Sequence, residues 1–445
     1  EDISDNGEGV VGQFAGRVNQ FRFTLRDSML QARLVRRYGV KNTGMGKNAD
    51  QIIERSNTPG IFQSYKILAY TPDKKAVVVD MTELFLESSR LTNPFPSYAG
   101  NSLYGFVQRI HKFQSQRSEL LGICGNDNSM SVRCNLGFNV DRLVLGSFMQ
   151  AKDVPVSVTV NKILMLLPED PMRPRLADSR IGVNAIIQTE LPDVCQGIKT
   201  YYITKRWRIE PVDEIRYKQG EMVDVKKPIV FYIDTLMPDS WIKYVKAGAE
   251  AWNAAFEKIG LRNVVRTELF PKDSSFDAGD IHNSVIRYAP SWMYYPQYSM
   301  HTDPRTGEIL NASVYLPANV ASYFYTSRTE ETMAVDPSVR KARLSEEQFG
   351  EMFKAKMMQA IGRCLGLTDN YAASSVYPVD SLRSASFTRK YGVVASVMDD
   401  FTCNKIAQPE DVKKGVVLVQ QNLGPYDYEV IKYLYKPIME VKHFR

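Results

Sequence analysis

Histidine is scarce in this chain: four residues in 445, at His111, His282, His301 and His443. No two of them are four positions apart, so no helix can offer the paired imidazoles of a His-x-x-x-His metal site. Long apolar runs are also missing. None approaches the ~20 residues that cross a bilayer, so no membrane-spanning helix is expected. Cysteine is limited to Cys124, Cys134, Cys195, Cys364 and Cys403, too few for a disulfide scaffold. Cys124 and Cys134 flank a turn-like Gly-Asn-Asp-Asn-Ser segment; a short disulfide loop and five unpaired thiols both fit. The net charge of +6 is small for this length. Basic clusters such as Arg33, Arg36 and Arg37 are interrupted by apolar residues, so no stripe is long enough to neutralise many phosphates and nucleic acid is not an expected partner. A Gly-x-Ser-x-Gly nucleophile elbow is absent, and no repeat or low-complexity segment is found. The polar start at Glu1 suits a processed chain, so the lack of a signal sequence decides nothing.

What is present divides in two. The length predicts two or three domains. Gln20–Leu25 alternates polar and apolar residues, and Ser64–Tyr70, Ala76–Asp80, Val154–Leu167 and Tyr201–Ile209 carry the β-branched and aromatic content of strands. A short helix is expected at Met81–Ser89. Near Lys226-Lys227-Pro228 the pattern changes. Pro228–Asp234 is a continuous apolar run of strand length, the mark of a strand covered on both faces. Trp241, Tyr244, Val245, Gly248, Trp252, Ala255, Phe256 and Ile259 then recur at helical spacing, predicting a helix over Asp239–Ile259 with Asp239 as N-cap. Strands at Asn263–Leu269 and Ser284–Ala289 follow, then a long aromatic loop and a strand at Ile309–Leu316 that stops at Pro317 and suits a sheet edge. Ser345-Glu346-Glu347-Gln348 is a capping box opening a second long helix, Ser345–Leu365, and a third helix is expected near Tyr428–Leu434. The expected class is α+β: a β-rich region over 1–225, with room for two subdomains, then an α/β unit with a mixed sheet over 226–445.

The chemistry is expected on the second long helix. Gln359-Ala360-Ile361-Gly362-Arg363-Cys364-Leu365-Gly366-Leu367-Thr368-Asp369 has the frame of His-Glu-x-x-His-x-x-Gly-x-x-His. In that motif two histidines on one helix face reach a zinc ion, the Glu takes a proton from metal-bound water, and the glycine turns the chain so that a third histidine returns. Here Gly366 stands at the turn, while Gln359, Arg363 and Asp369 occupy the ligand positions and Ala360 that of the base. Downstream, Ala372–Arg383, Phe387-Thr388, Tyr391-Gly392, Ser396-Val397-Met398-Asp399 and Ala407–Asp411 resemble a family of large secreted bacterial zinc-dependent metalloproteases with a metzincin-like catalytic domain. Upstream, Lys205–Glu210, Pro228–Asp234, Trp252–Glu257 and Asp303–Ile309 do the same. The resemblance covers about residues 205–435.

That resemblance implies a metzincin-like fold with a twisted mixed sheet, two long helices and a Met-turn at Met398 lying beneath Gln359 and Arg363. It implies a secreted, periplasmic or cell-surface setting; chains of that family usually run further, and whether this one continues beyond Arg445 is left open. The family holds zinc; with its ligands and base replaced, none is expected here, and the catalytic residues are expected to be absent. Arg363 is expected to pair with Asp369, with Gln359 hydrogen-bonded nearby. The edge strand, with Ala312 at its centre, is expected to bind extended peptide by backbone pairing, which needs no metal. Alternatives stay open: a peptidase with non-standard ligands (His301 with Asp303, or Asp399 and Asp400, the latter opposed by Lys356 and Arg363), a hydrolase built on Ser374, Ser375 or Cys364, or a structural or glycan-binding surface protein. The oligomeric state is left undetermined.

Overall fold

The computed structural model describes residues 4–5, 19–35, 40–42, 55, 58–88, 92–95, 107–144, 148–191, 199–273, 276–289, 293–400 and 403–438. Cys195, His443 and the C-terminal Arg445 lie outside them. The chain forms two compact units, one of residues 1–169 and 186–203, the other of 170–185 and 204–445. Residues 204–225, placed by sequence on the N-terminal side of the change at 226, thus belong to the second unit.

The first unit is built on long antiparallel strands. Val107–Gly125, Ser129–Val144 and Phe148–Met165 form a meander, extended by Ser4–Asp5 on the outer side of Phe148–Met165. Every second residue from Val132 to Val140 (Val132, Cys134, Leu136, Phe138, Val140) is buried, and so are Val156, Val158 and Val160. This is the period-two pattern of a sheet with one dry face. A second antiparallel sheet runs in the order Phe21–Arg26, Met29–Leu34, Ile61–Tyr70, Val77–Val79. Its Ala32 and Tyr65 share the core with Leu84 and Phe85 of the Thr82–Phe85 helix. Phe148–Met165 was legible in part, as Val154–Leu167, whereas Val107–Gly125 and Ser129–Val144 were not foreseen; the first is mostly polar and lies exposed over much of its length. Cys124 and Cys134 are both free, the first exposed and the second buried. Cys124 pairs across the hairpin with Ser131 and Cys134 with Leu120. Three register positions correspond to about 10 Å along a strand, beyond disulfide reach. The short loop closure is therefore not made.

The second unit is organised by a five-stranded sheet with β1 (Ile229–Ile233), β2 (Val265–Leu269), β3 (Ser284–Ala289), β4 (Gln297–Thr302) and β5 (Ile309–Pro317). The order is β2-β1-β3-β5-β4. The pairs β1–β2, β1–β3 and β3–β5 are parallel and β4–β5 is antiparallel, which makes the sheet mixed. Here the structure corrects the sequence reading: β5 has a neighbour on both sides, and the edge is β4, which the sequence analysis took for loop. The proline that suggested an edge sits at the very end of β5, where it stops the strand without touching the ladder's interior. Ala312 is fully buried at the centre of β5, opposite Met300.

Helices cover the sheet. The predicted Asp239–Ile259 helix comes as two pieces, α1 (Asp239–Glu250) and Asn253–Glu257. At the join the Trp252 indole donates to the Met358 carbonyl (2.9 Å) and the Asn253 amide exchanges two hydrogen bonds with the backbone of Val265. Pro238, not Asp239, is the N-cap; Asp239 lies in the first turn, where its charge still suits the helix dipole. A helix that periodicity did not announce, α2 (Val320–Thr332), buries Ser327, Arg328 and Thr332 beside Val320 and Phe324, so its inner face is too polar to read. The last long helices are α3 (Glu346–Cys364) and α4 (Pro425–Tyr435). The core between sheet and helices includes Phe231, Ile233, Trp252, Phe256, Phe324, Phe353, Ile361 and Met398.

Candidate functional site

The site begins with how α3 starts and stops. The Gln348 amide donates to Ser345 Oγ (3.2 Å) and the Ser345 amide donates to Gln348 Oε1 (3.0 Å), closing the capping box. Past the nineteen residues of the helix, Gly366, at φ +94°, reverses the chain in a conformation that costs a residue with Cβ dearly. A side chain there would also meet the Lys205 carbonyl oxygen at 2.2 Å. The turn is tied to residues 182–184: Thr368 N donates to the Gly182 carbonyl, Asn184 N to that of Gly366, and the Asn184 side chain to that of Leu367.

This turn brings Asp369 back to α3. Arg363 donates from Nε (3.0 Å) and Nη2 (2.6 Å) to Asp369 Oδ1. The side chains keep 21% and 31% of their exposure, so the ion pair is half sheltered. Asp369 Oδ2 accepts a long bond from the Tyr371 hydroxyl at 3.4 Å. The other face of the guanidinium lies over the Tyr298 ring, 5.5 Å from its centroid, a cation–π contact from the edge strand β4. Gln359 is buried and not joined to this pair; its Nε2 donates to the Asp399 carbonyl (2.9 Å). Ala360 is buried in the core.

Met398 lies under α3. A Cβ on Gly362 would come within 2.4 Å of the Met398 sulfur and 2.5 Å of the Trp252 ring, so a glycine is needed for the helix to sit this close. The turn bearing Met398 is held by one carboxylate. Asp427 of α4 accepts from Ser396 Oγ (2.6 Å), Val397 N (2.9 Å) and Gly424 N (2.7 Å), and Met398 N donates to Ser396 Oγ. Burial nonetheless pushes the Asp427 carboxyl up to about 6, outweighing the three bonds that pull it down.

The alternative ligands and nucleophiles are engaged elsewhere. Asp303 is fully buried and held by Arg305, with Nη2–Oδ2 at 2.7 Å, while its loop caps the β4–β5 turn. His301 stands on β4 opposite Asn311. Asp399 Oδ2 accepts from Ser374 N (2.7 Å), and Asp400 faces Lys356 (3.4 Å). Ser375 Oγ donates to the Ala372 carbonyl. Burial pushes the Cys364 thiol up to about 12, far from the thiolate a nucleophile needs. Among the described residues no group of three or more His, Cys, Asp or Glu is placed to hold a metal. The residues that the sequence reading missed are the tyrosines around the charged pair: Tyr298, Tyr371, and Tyr295 and Tyr323 near Lys356. For Tyr295 and Tyr298 the aromatic density of Trp292–Tyr298 was the signal.

Comparison with known proteins adds three findings. Residues 341–444 match a family model described as Met-zincin. Residues 13–212 match one described as a domain of unknown function (DUF5117). Among solved structures, a chain of the GM1 bound form of the ECX AB5 holotoxin aligns at 12% identity over 46% of this chain and 80% of that one, with a TM-score of 0.27, too low to carry an argument about fold. No curated protein matches. With α3, the Gly366 turn and the Met398 turn all inside the matched segment, the chain carries a metzincin-like domain.

Proposed function

We propose that this chain is a catalytically inactive relative of the zinc metallopeptidases that keeps a peptide-binding cleft. The observation that supports it most is the replacement at the motif positions. A cationic guanidinium, an amide and a methyl group stand where two ligands and the base belong, and the one anionic substitute, Asp369, already neutralises Arg363. A dication beside Arg363 would be repelled, and Gln359 turns its donor toward the Asp399 carbonyl. This set of side chains does not suit zinc. Without metal-bound water and without Glu, no group at the site generates a nucleophile.

Binding needs less than catalysis. Among the described residues, β4 has a strand partner only on the β5 side, and its Tyr298 lies beside the charged pair. Pairing an extended chain along that edge uses backbone groups alone. An extracytoplasmic location belongs to the same reading, and fractionation of the source cells tests it. The decisive test has two parts. The purified chain is incubated with casein and added zinc, and short extended peptides are titrated against it by fluorescence anisotropy. Saturable peptide binding with no zinc-dependent cleavage is the expected result. Cleavage that a chelator abolishes, in a preparation free of other proteases, sinks the inactive reading.

A further inference from the structure

Beside Gln359, between the middle of α3, α2 and the Met398 turn, the surface opens into a small pocket of about 30 Å³. Its walls are apolar at Phe324, Met352, Ala355, Val394 and Val397. Its polar lining is mostly committed. Gln420 Oε1 accepts from Val393 N and Val394 N, and its Nε2 donates to the Asn422 carbonyl. Asp399 is held by Ser374 N and Gln359.

Lys356 is different. Its side chain is 16% exposed, and its ammonium lies 5.7 and 5.8 Å from the Tyr295 and Tyr323 ring centroids. Among the described residues its one carboxylate contact is Asp400, at 3.4 Å and itself 64% exposed, longer than a good charge-assisted bond. An ammonium carries three donors, so this one is poorly matched for a cation so deep. Burial accordingly holds its pKa below the usual lysine range. The adjacent Gln359 amide has a second N–H that the Asp399 carbonyl does not use.

We propose that this pocket receives a carboxylate carried by the bound polypeptide, with Lys356 as its charge partner and Gln359 as a second donor. The apolar walls suit the methylenes that carry such a group, and the fixed cation supplies the specificity. This inference rests on the peptide-binding reading above. Glutamate and aspartate side chains and a free C-terminus share the chemistry, and the experiment separates them.

The full chain is titrated with acetylated, amidated peptides of one apolar frame bearing a single Glu, Gln or Lys, and with the Gln peptide carrying a free C-terminus. The same series is run on Lys356→Met, with circular dichroism to verify its fold. We expect the Glu peptide, or the free C-terminus, to bind about tenfold more tightly than the neutral amide, and Lys356→Met to erase that preference. Equal binding of all peptides overturns the carboxylate site and leaves peptide binding standing. Should no peptide bind, thermal shift with glutarate against glutaramide decides. A shift specific to glutarate keeps the site and removes the peptide reading; no difference removes both. Glutarate on the unmodified chain also decides the matter if Lys356→Met fails to fold.

Discussion

Arg363 and Asp369 hold each other through two bonds to one oxygen, and each depends on the other for its place in a partly closed site. Removing one partner leaves a half-sheltered charge unmatched, whereas removing both leaves none. Arg363→Met alone should therefore cost about 1–2 kcal/mol and Arg363→Met with Asp369→Leu less, as read from chemical denaturation of the two variants. A double-variant loss equal to the sum of the Arg363→Met and Asp369→Leu losses measured singly would show that the pair is not coupled. Asp427 gives a second residue-level outcome. Its folded carboxyl titrates near 6, against 3.8 for the ordinary group, so the folded chain holds this proton over a window where the unfolded chain has lost it. The contribution is fully present below about pH 4 and is lost as the pH rises through 6. Melting temperatures measured from pH 4 to 7 should fall less with rising pH in Asp427→Asn than in the unmodified chain, because the amide cannot titrate.

At the scale of the element, the close seat of α3 on the Met398 turn is set by Gly362. Gly362→Ala should destabilise the chain by about 1–3 kcal/mol through overpacking, since the added methyl meets Met398 and Trp252. A paired Gly362→Ala, Met398→Ala variant should lose less than the sum of the two single losses, and strict additivity would place the clash on Trp252 alone. The capping box of α3 was legible because Ser and Gln at that spacing satisfy two orphan amides by local chemistry. The role of β4 was not. Its sequence, Gln-Tyr-Ser-Met-His-Thr, is short, and its polar–apolar alternation runs against its burial, with Ser299 buried and Tyr298 exposed; its strand state comes from the ladder it makes with β5. For β5, apolar content announced a strand, but which neighbours it would have depended on a partner the sequence did not reveal.

For the whole molecule, the testable question is whether the frame of the metal site survives its ligands. If α3, the Gly366 turn and Asp369 keep the metzincin path, a chain with Gln359→His, Arg363→His and Asp369→His should bind one zinc ion. The unmodified chain should bind none, and elemental analysis after dialysis distinguishes them. A triple variant that folds yet stays metal-free would mean that the frame has drifted as well as the ligands.

The sequence by itself determined the strands and helices whose side chains signal burial locally: the apolar run of β1, the periodic faces of α1 and α3, the capping box and the glycine turn at 366. It also determined, by the scarcity and spacing of histidine, that no paired-imidazole site exists on any helix. Tertiary structure alone decided that the sheet edge is β4 and not β5, that Tyr298 covers Arg363, that Cys124 and Cys134 stay apart, and that Lys356 lies deep beside a pocket. Each of these depends on how strands pair or on contacts between distant segments, and hydrophobic period and turn chemistry report only on the residues beside them.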